Sequence, residues 1–286
     1  MFGISYWILP LFAACVWLAT LLAMLITWIT EGSPHYPSMD ATQHIAYISD
    51  IGAQGLKPLF IAGSAVTVVV FDITFLSERW LRHRGRLAHN TSRAQKILSI
   101  CACIAAVIGA CGLILLTIFD TLHYPNVHDA MLVVFIAGYI ISAIFICAEY
   151  QRLGYHFREY KVLRASFWLK LAFIFVEIGL IIAFGVTQKY DEWNRAAVLE
   201  WTISLVYILY VSSFVMDFLP ATHTKHHRFP SVQEMQQGHM DQSITGGPTY
   251  TSEGRDVENA SYGSAQPMQQ GRYYPPQEPV APSRNF

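Results

Sequence analysis

The sequence predicts an all-α, polytopic membrane protein, a bundle of six transmembrane helices followed by a disordered C-terminal tail. Three observations carry that prediction. Apolar residues gather in six long blocks, Lys and Arg are confined to every second gap between the blocks, and past residue 220 the composition turns abruptly to Pro, Gln, Ser, Gly and Tyr.

The blocks are long enough to cross a bilayer. Residues 1–30 carry no charge, 97–119 form 23 uncharged residues and 130–148 form 19, where ~20 apolar residues span a ~30 Å hydrocarbon core. The other three blocks contain acids, at Asp72, at Glu177, and at Glu200 with Asp217. A lipid-facing backbone has to satisfy its own hydrogen bonds, so each block is expected as a helix. The expected spans are 6–29, 56–77, 96–119, 128–149, 168–187 and 197–219, within a transmembrane domain of residues 1–220.

The count of basic residues sets the orientation. The second gap holds Arg79, Arg82, Arg84, Arg86, Arg93 and Lys96, and the fourth holds Arg152, Arg158, Lys161, Arg164 and Lys170. The first, third and fifth gaps hold only Lys57, Lys189 and Arg195. Eleven against three places the basic gaps and both termini in the cytosol. The glycosylation triplets at Asn90 and Asn259 then lie on the wrong side and read as chance matches.

At the N-terminus, Leu11-Phe12-Ala13-Ala14-Cys15 resembles a lipoprotein cleavage box. No Lys or Arg precedes it and the apolar run continues to Ile29, so the segment is kept as the first span. All five cysteines (Cys15, Cys101, Cys103, Cys111, Cys147) fall within spans, which leaves no extracellular disulfide framework. Small residues on the third span (Ala102, Ala105, Ala106, Gly109, Ala110), with Gly138 and Ser142 on the fourth and Gly179 and Ala183 on the fifth, predict close helix packing within the bundle.

Residues 221–286 hold most of the prolines and no apolar run able to build a core, so they read as a disordered cytosolic tail. Its P-x-x-P spacings between Tyr273 and Pro282 suit a polyproline II helix and an SH3-type partner. No nucleic-acid partner, cofactor or metal is expected.

Ionisable residues at membrane depth are costly and point to function. Asp50, Asp120, His123, His128, Asp129 and Glu200 fall at the outer face, as candidates for binding a lipid head group or ligand. The short turn from Asp120 to Asp129 is expected to hold two imidazoles and two carboxylates close together, a set open to helix capping, head-group contact, metal or acid-base work. Asp72, Glu149 and Asp217 fall near the inner face, and Glu177 alone lies near the midplane. Among the basic residues, Arg79, Arg82, Arg84, Arg86, Arg158, Lys161 and Arg164 are expected to meet anionic lipids, phosphoinositides included. No Walker loop, nucleophile elbow or dinucleotide fingerprint is present in the sequence, and no catalytic set is assigned.

At these residues the chain resembles a known family. Tyr47-Ile48-Ser49-Asp50-Ile51-Gly52, then Phe119-Asp120-Thr121 with His123 and His128-Asp129, then Glu200-Trp201, are similar in kind and order to the Frag/DRAM/suppressor-of-four-kinase family of six-span proteins. The likeness covers about residues 5 to 220, and the long Pro/Gln/Tyr tail resembles the fungal suppressor-of-four-kinase branch. That resemblance implies a non-enzymatic plasma-membrane protein that helps recruit a phosphatidylinositol 4-kinase complex and influences phospholipid asymmetry. The vacuole or lysosome and the Golgi are alternative locations. The family also resembles a protein of GPI-anchor lipid remodelling, which keeps open an enzyme or accessory using the His123 to Asp129 turn. A transporter using Glu177 is a third reading.

Overall fold

The computed structural model describes residues 6–87, 93–156 and 161–223, with side chains omitted for 154–163 and beyond 219. The expected tail, and the side chains of Arg158 and Lys161, lie outside the described residues. Eight helices and no strand occur among the described residues: α1 (Ile8–Thr30), α2 (Ile48–Gly52), α3 (Lys57–His83), α4 (Arg93–Ile118), α5 (Pro125–His156), α6 (Lys161–Lys189), α7 (Trp193–Ser213) and α8 (Val215–His223). Six helical stretches are long and apolar enough to cross a membrane, the last being α7 continued into α8 through Leu219. The protein is therefore an integral membrane protein with the expected six spans.

Local sequence explains the ends of these helices. Pro58 opens α3, where a missing N–H costs nothing and its fixed φ suits the first turn. α1 stops at Glu31-Gly32-Ser33, where Gly32 adopts φ 86°, a left-handed conformation glycine takes without strain. α3 runs six residues beyond the expected boundary, because Glu78, Arg79 and Arg82 at that end find partners inside the protein and need no water. The sixth span is interrupted at Phe214, whose N–H bonds the carbonyl of Val211 at 3.2 Å, one residue short of the helical pattern.

The spans pack in chain order, α1 on α3, α3 on α4, α4 on α5, α5 on α6 and α6 on α7, and α7 returns to α1 to close the ring. At its centre Phe71 of α3 is fully buried and is surrounded by Phe75, Tyr139, Tyr207, Tyr210 and Phe214, all with ring centroids within 6.3 Å. α4 and α5 approach most closely. A Cβ added to Gly138 would stand 2.5 Å from the backbone nitrogen of Gly109, and Ser142 donates to the carbonyl of Ala102 at 2.9 Å. The expected small-residue contact thus forms between these two helices. On α6 it does not, since a Cβ at Gly179 would meet nothing within 4 Å. Outward-facing Val133, Ile104 and Phe175 are more than half exposed, as suits a lipid-facing surface.

Candidate functional site

The first, third and fifth connections share one face of the bundle, here the odd face, and the second and fourth share the opposite, even face. Each face carries a network of buried polar side chains, built on different chemistry.

On the odd face, the connection between α1 and α3 folds over the bundle around Asp50. This carboxylate is 2% exposed and accepts from Ser38 Oγ at 2.7 Å, from Gln43 Nε2 at 3.0 Å and from the Tyr47 N–H at 3.0 Å. The last bond caps α2, an acid at the third helical position satisfying an orphan N–H. The start of α7 fastens the same connection. Glu200 accepts the Ile48 N–H at 2.7 Å, Trp201 Nε1 donates to the Ala46 carbonyl at 3.0 Å, and Asn194 Oδ1 accepts the N–H groups of His44 and Ile45 at 2.6 and 3.0 Å. Burial, and after it the neighbouring Glu200 carboxylate, push the Tyr47 phenol well above its ordinary value.

The Asp120 to Asp129 turn does not form the single constellation expected of it. Asp120, 4% exposed, pairs with Lys57 at the start of α3 and accepts from the His123 N–H at 2.7 Å, with His123 Nδ1 at 2.8 Å. Although burial opposes it, these donors hold the Asp120 carboxyl well below the usual carboxylate range. His128 is 3% exposed and turns away from that cluster, its Nδ1 lying 2.8 Å from the carbonyl of Leu116 and 3.0 Å from that of Phe119. Two carbonyl acceptors require Nδ1 to carry the proton. Opening α5, His128 thus caps the last turn of α4, whose terminal carbonyls have no helical partner. Asp129 is exposed and lies outside these bonds. The short turn brings the residues close in sequence, but helix direction sends their side chains to different partners.

The even face is ionic. Arg82 donates to Glu78 Oε1 through Nε at 3.1 Å and Nη2 at 2.6 Å, and Tyr150 Oη donates to the same oxygen at 2.8 Å. Arg79 holds both oxygens of Glu149 on α5. Lys170 donates to Asp217 Oδ2 and to Ser166 Oγ, each at 2.7 Å, and Ser166 donates to Asp217. Tyr150, 2% exposed, joins the groups, with Arg82 at 5.4 Å and Lys170 at 5.2 Å from its ring centroid.

This layer corrects two expected lipid contacts. Arg79 and Arg82 face acids of the protein, and Arg82 is only 5% exposed, because a guanidinium within the span gains more from a carboxylate than from reaching the head groups. Arg84 is exposed and stacks on Trp80 with 4.9 Å between guanidinium and ring, Arg86 is half-buried, and Arg164 is exposed. Sequence reasoning missed Lys57, Gln43, Asn194, Tyr150, Ser166 and Lys170. The spacings Glu78 to Arg82 and Ser166 to Lys170, four residues apart on one helix face, were the legible signal. Glu177 lines a cavity between α1, α5, α6 and α7.

The Frag1/DRAM/Sfk1/Cwh43P N-terminal domain matches residues 5–221. The chain belongs to this family. It is 28% identical over 219 residues to Protein sfk1 of Schizosaccharomyces pombe, covering 77% of this chain and 65% of that protein. It is 32% identical over 177 residues to Protein SFK1 of Saccharomyces cerevisiae, covering 52% of this chain and 50% of that one. These relatives place it with the fungal branch of the Frag1/DRAM/Sfk1 family, and it spans less than two thirds of their length. No solved structure matches the chain.

Proposed function

We propose that this Frag1/DRAM/Sfk1 protein is a non-catalytic regulator and scaffold of the plasma membrane, with both termini cytosolic, that supports recruitment of a phosphatidylinositol 4-kinase, phosphoinositide levels and phospholipid asymmetry. One observation carries the non-catalytic part. Of the histidines and acids in the Asp120 to Asp129 turn that would serve acid-base chemistry, all but the exposed Asp129 are engaged in holding the fold, His128 on two carbonyls and Asp120 on Lys57 and His123. A general acid or base has to face its substrate with a proton to exchange, whereas the buried nitrogen of His128 is committed to capping a helix. The kinase and asymmetry roles rest on the resemblance to the suppressor-of-four-kinase branch. Basic residues such as Arg84 and Arg164, left exposed by the even-face layer, suit a surface beside anionic lipid.

The test is His128→Asn, measured for abundance, plasma-membrane phosphoinositide and leaflet asymmetry together. A scaffold loses abundance and function in proportion, with stability lowered by ~1 to 3 kcal/mol, the usual cost of an unmet buried polar group. A variant folded to normal abundance yet wholly inactive in a lipid-remodelling assay would establish the enzyme in its place.

A further inference from the structure

The aromatic centre of the bundle opens on one side into a cavity bounded by α1, α5, α6 and α7, with about 630 Å³ of space when the open side is counted. Most of the wall is apolar, from Trp17, Phe135, Ile174 and Ile203. Five polar side chains break that surface: Tyr139 of α5, Glu177 of α6, and Ser204, Tyr207 and Tyr210 of α7. The phenols of Tyr139 and Tyr207, 7% and 8% exposed, have at most each other for a partner, and Oε1 of Glu177 has none. Oδ1 of Asp72, behind the tyrosines on α3, is in the same condition, and Asp72 and Glu177 both lie within electrostatic reach of Tyr207. The two tyrosine rings are 5.7 Å apart.

Tyr139, Tyr207, Glu177 and Asp72 all sit within two positions of the middle of their spans, which moves Asp72 from the inner face expected of it to the midplane, because α3 continues to His83. They therefore share one depth, the bilayer midplane, where no water competes and an unmet polar group is at its most costly. Four helices from different parts of the chain would not converge on such an arrangement for packing alone, since Phe and Leu fill an apolar layer without that penalty.

We propose that this cavity binds a lipid carrying one free hydroxyl and no charged head group, its hydroxyl hydrogen-bonded to Glu177 and the tyrosine pair at the midplane. The chemistry of the wall selects that class. A hydroxyl donates one bond and accepts two, which answers a carboxyl acceptor and a phenol donor together, whereas a pure hydrocarbon leaves the Glu177 carboxyl unmet. A phosphate head group at this depth would need a cation, and the wall contains no Lys or Arg. Entry is lateral, past α6, of which 17% of the membrane-crossing window is buried in the protein against 33% to 44% for the other spans.

The experiment uses full-length protein in nanodiscs and four photoactivatable probes: a 3-hydroxysterol, a diacylglycerol, and the O-methyl ether of each. The expected result is saturable labelling by one alcohol, competed by its unlabelled form, with its ether weaker by about tenfold, the loss of a hydrogen bond to a charged or polar group. Which of the two alcohols competes identifies the source. Tyr207→Phe and Glu177→Gln each reduce labelling by the alcohol and leave that by the ether unchanged. Equal labelling by alcohol and ether, labelling by neither alcohol, or a long-chain amine that displaces the alcohol at lower concentration would overturn the proposal. The alcohol and ether comparison is made on the unaltered protein, so it stands whether or not a variant folds.

Discussion

The two faces of the bundle hold the same kinds of residue and use them in opposite ways. On the even face, carboxylates meet guanidinium and ammonium groups from other helix positions, so Arg79 to Glu149 ties α3 to α5 and Lys170 to Asp217 ties α6 to α8. On the odd face, Asp50, Glu200 and Asn194 accept mainly from backbone N–H and side-chain amide or hydroxyl groups of the first connection. The first arrangement sets how helices lie against one another. The second fixes a loop over the end of the bundle. A charge pair between helices fails badly when halved, because the survivor is buried and uncompensated, while a carboxylate fed by several neutral donors loses strength in steps.

Lys170 gives the sharpest way to break this distinction. It is fully buried against Asp217, Ser166 and, at 4.2 Å from its ring centroid, Phe214. Lys170→Met is expected to lower stability by ~3 to 5 kcal/mol, the cost of leaving one buried charge alone, and Lys170→Met with Asp217→Leu should recover most of it. Thermal unfolding in detergent, followed by the loss of monodisperse protein, reads both. A double variant no better than the single would mean that Ser166 and Tyr150 depend on the charges themselves, and that the even-face layer cannot be separated into pairs.

Asp50→Asn is the matching change on the odd face. Its amide keeps one acceptor and adds donors facing Ser38, Gln43 and the Tyr47 N–H, so ~1 to 3 kcal/mol should be lost. The damage should stay local. Hydrogen exchange is expected to rise at residues 38–52 and stay unchanged in α5 and α6, whereas Lys170→Met should loosen α6 and α8 together. Spreading of the Asp50 effect through the spans would erase the contrast between the faces.

How far the sequence foretold this structure follows the same division. The spans were legible because each is a long apolar run, a signal contained within one segment, and the small residues of α4 and α5 announced their contact. The family motifs likewise marked Asp50, Asp120, His128 and Glu200. What those residues do was not legible, because their partners stand far away in the chain: Lys57 lies 63 residues from Asp120, and Ile48 lies 152 from Glu200. His128 and Asp129 are neighbours in sequence, yet the step of about 100° between adjacent helical residues sends the first into the protein and leaves the second outside. Arg79 and Arg82 misled in the reverse direction, since their place at a basic helix end resembled a lipid contact while their acids came from the protein.

Acid should separate the faces more gently. The Asp120 carboxyl titrates lower in the folded protein than in the unfolded chain, so the unfolded state takes up the proton first as pH falls. Its contribution is complete above the unfolded value of ~3.9 and is lost progressively below it. Because Lys57 is about a third exposed, screening by solvent keeps the effect small. Asp120→Asn should lower stability slightly at neutral pH, where the contribution is fully present, and flatten the acid limb below pH ~4, so that the two proteins converge as the pH falls. An acid limb identical to that of the unaltered protein would show that the Lys57 pair contributes nothing to folding.

The smallest effect on stability is expected at Arg84, and it bears most directly on function. Arg84 stands only two residues from Arg82, but it points outward and rests on Trp80, a pairing suited to the interface between head groups and hydrocarbon. Arg84→Gln should change folding stability by less than ~0.5 kcal/mol, as exposed substitutions do. It should weaken association with vesicles containing phosphoinositide by about fivefold at low salt, since one cation near an anionic surface contributes ~1 kcal/mol. That difference should vanish near 1 M salt, where the Debye length shrinks to ~3 Å. Arg82→Gln makes the opposite pair of changes, a large loss of stability with no salt-dependent loss of binding per folded molecule, because its charge is spent on Glu78. If both variants behaved alike in the vesicle assay, the basic residues of the even face would be setting topology only, and the lipid contact assigned to Arg84 would fall with them.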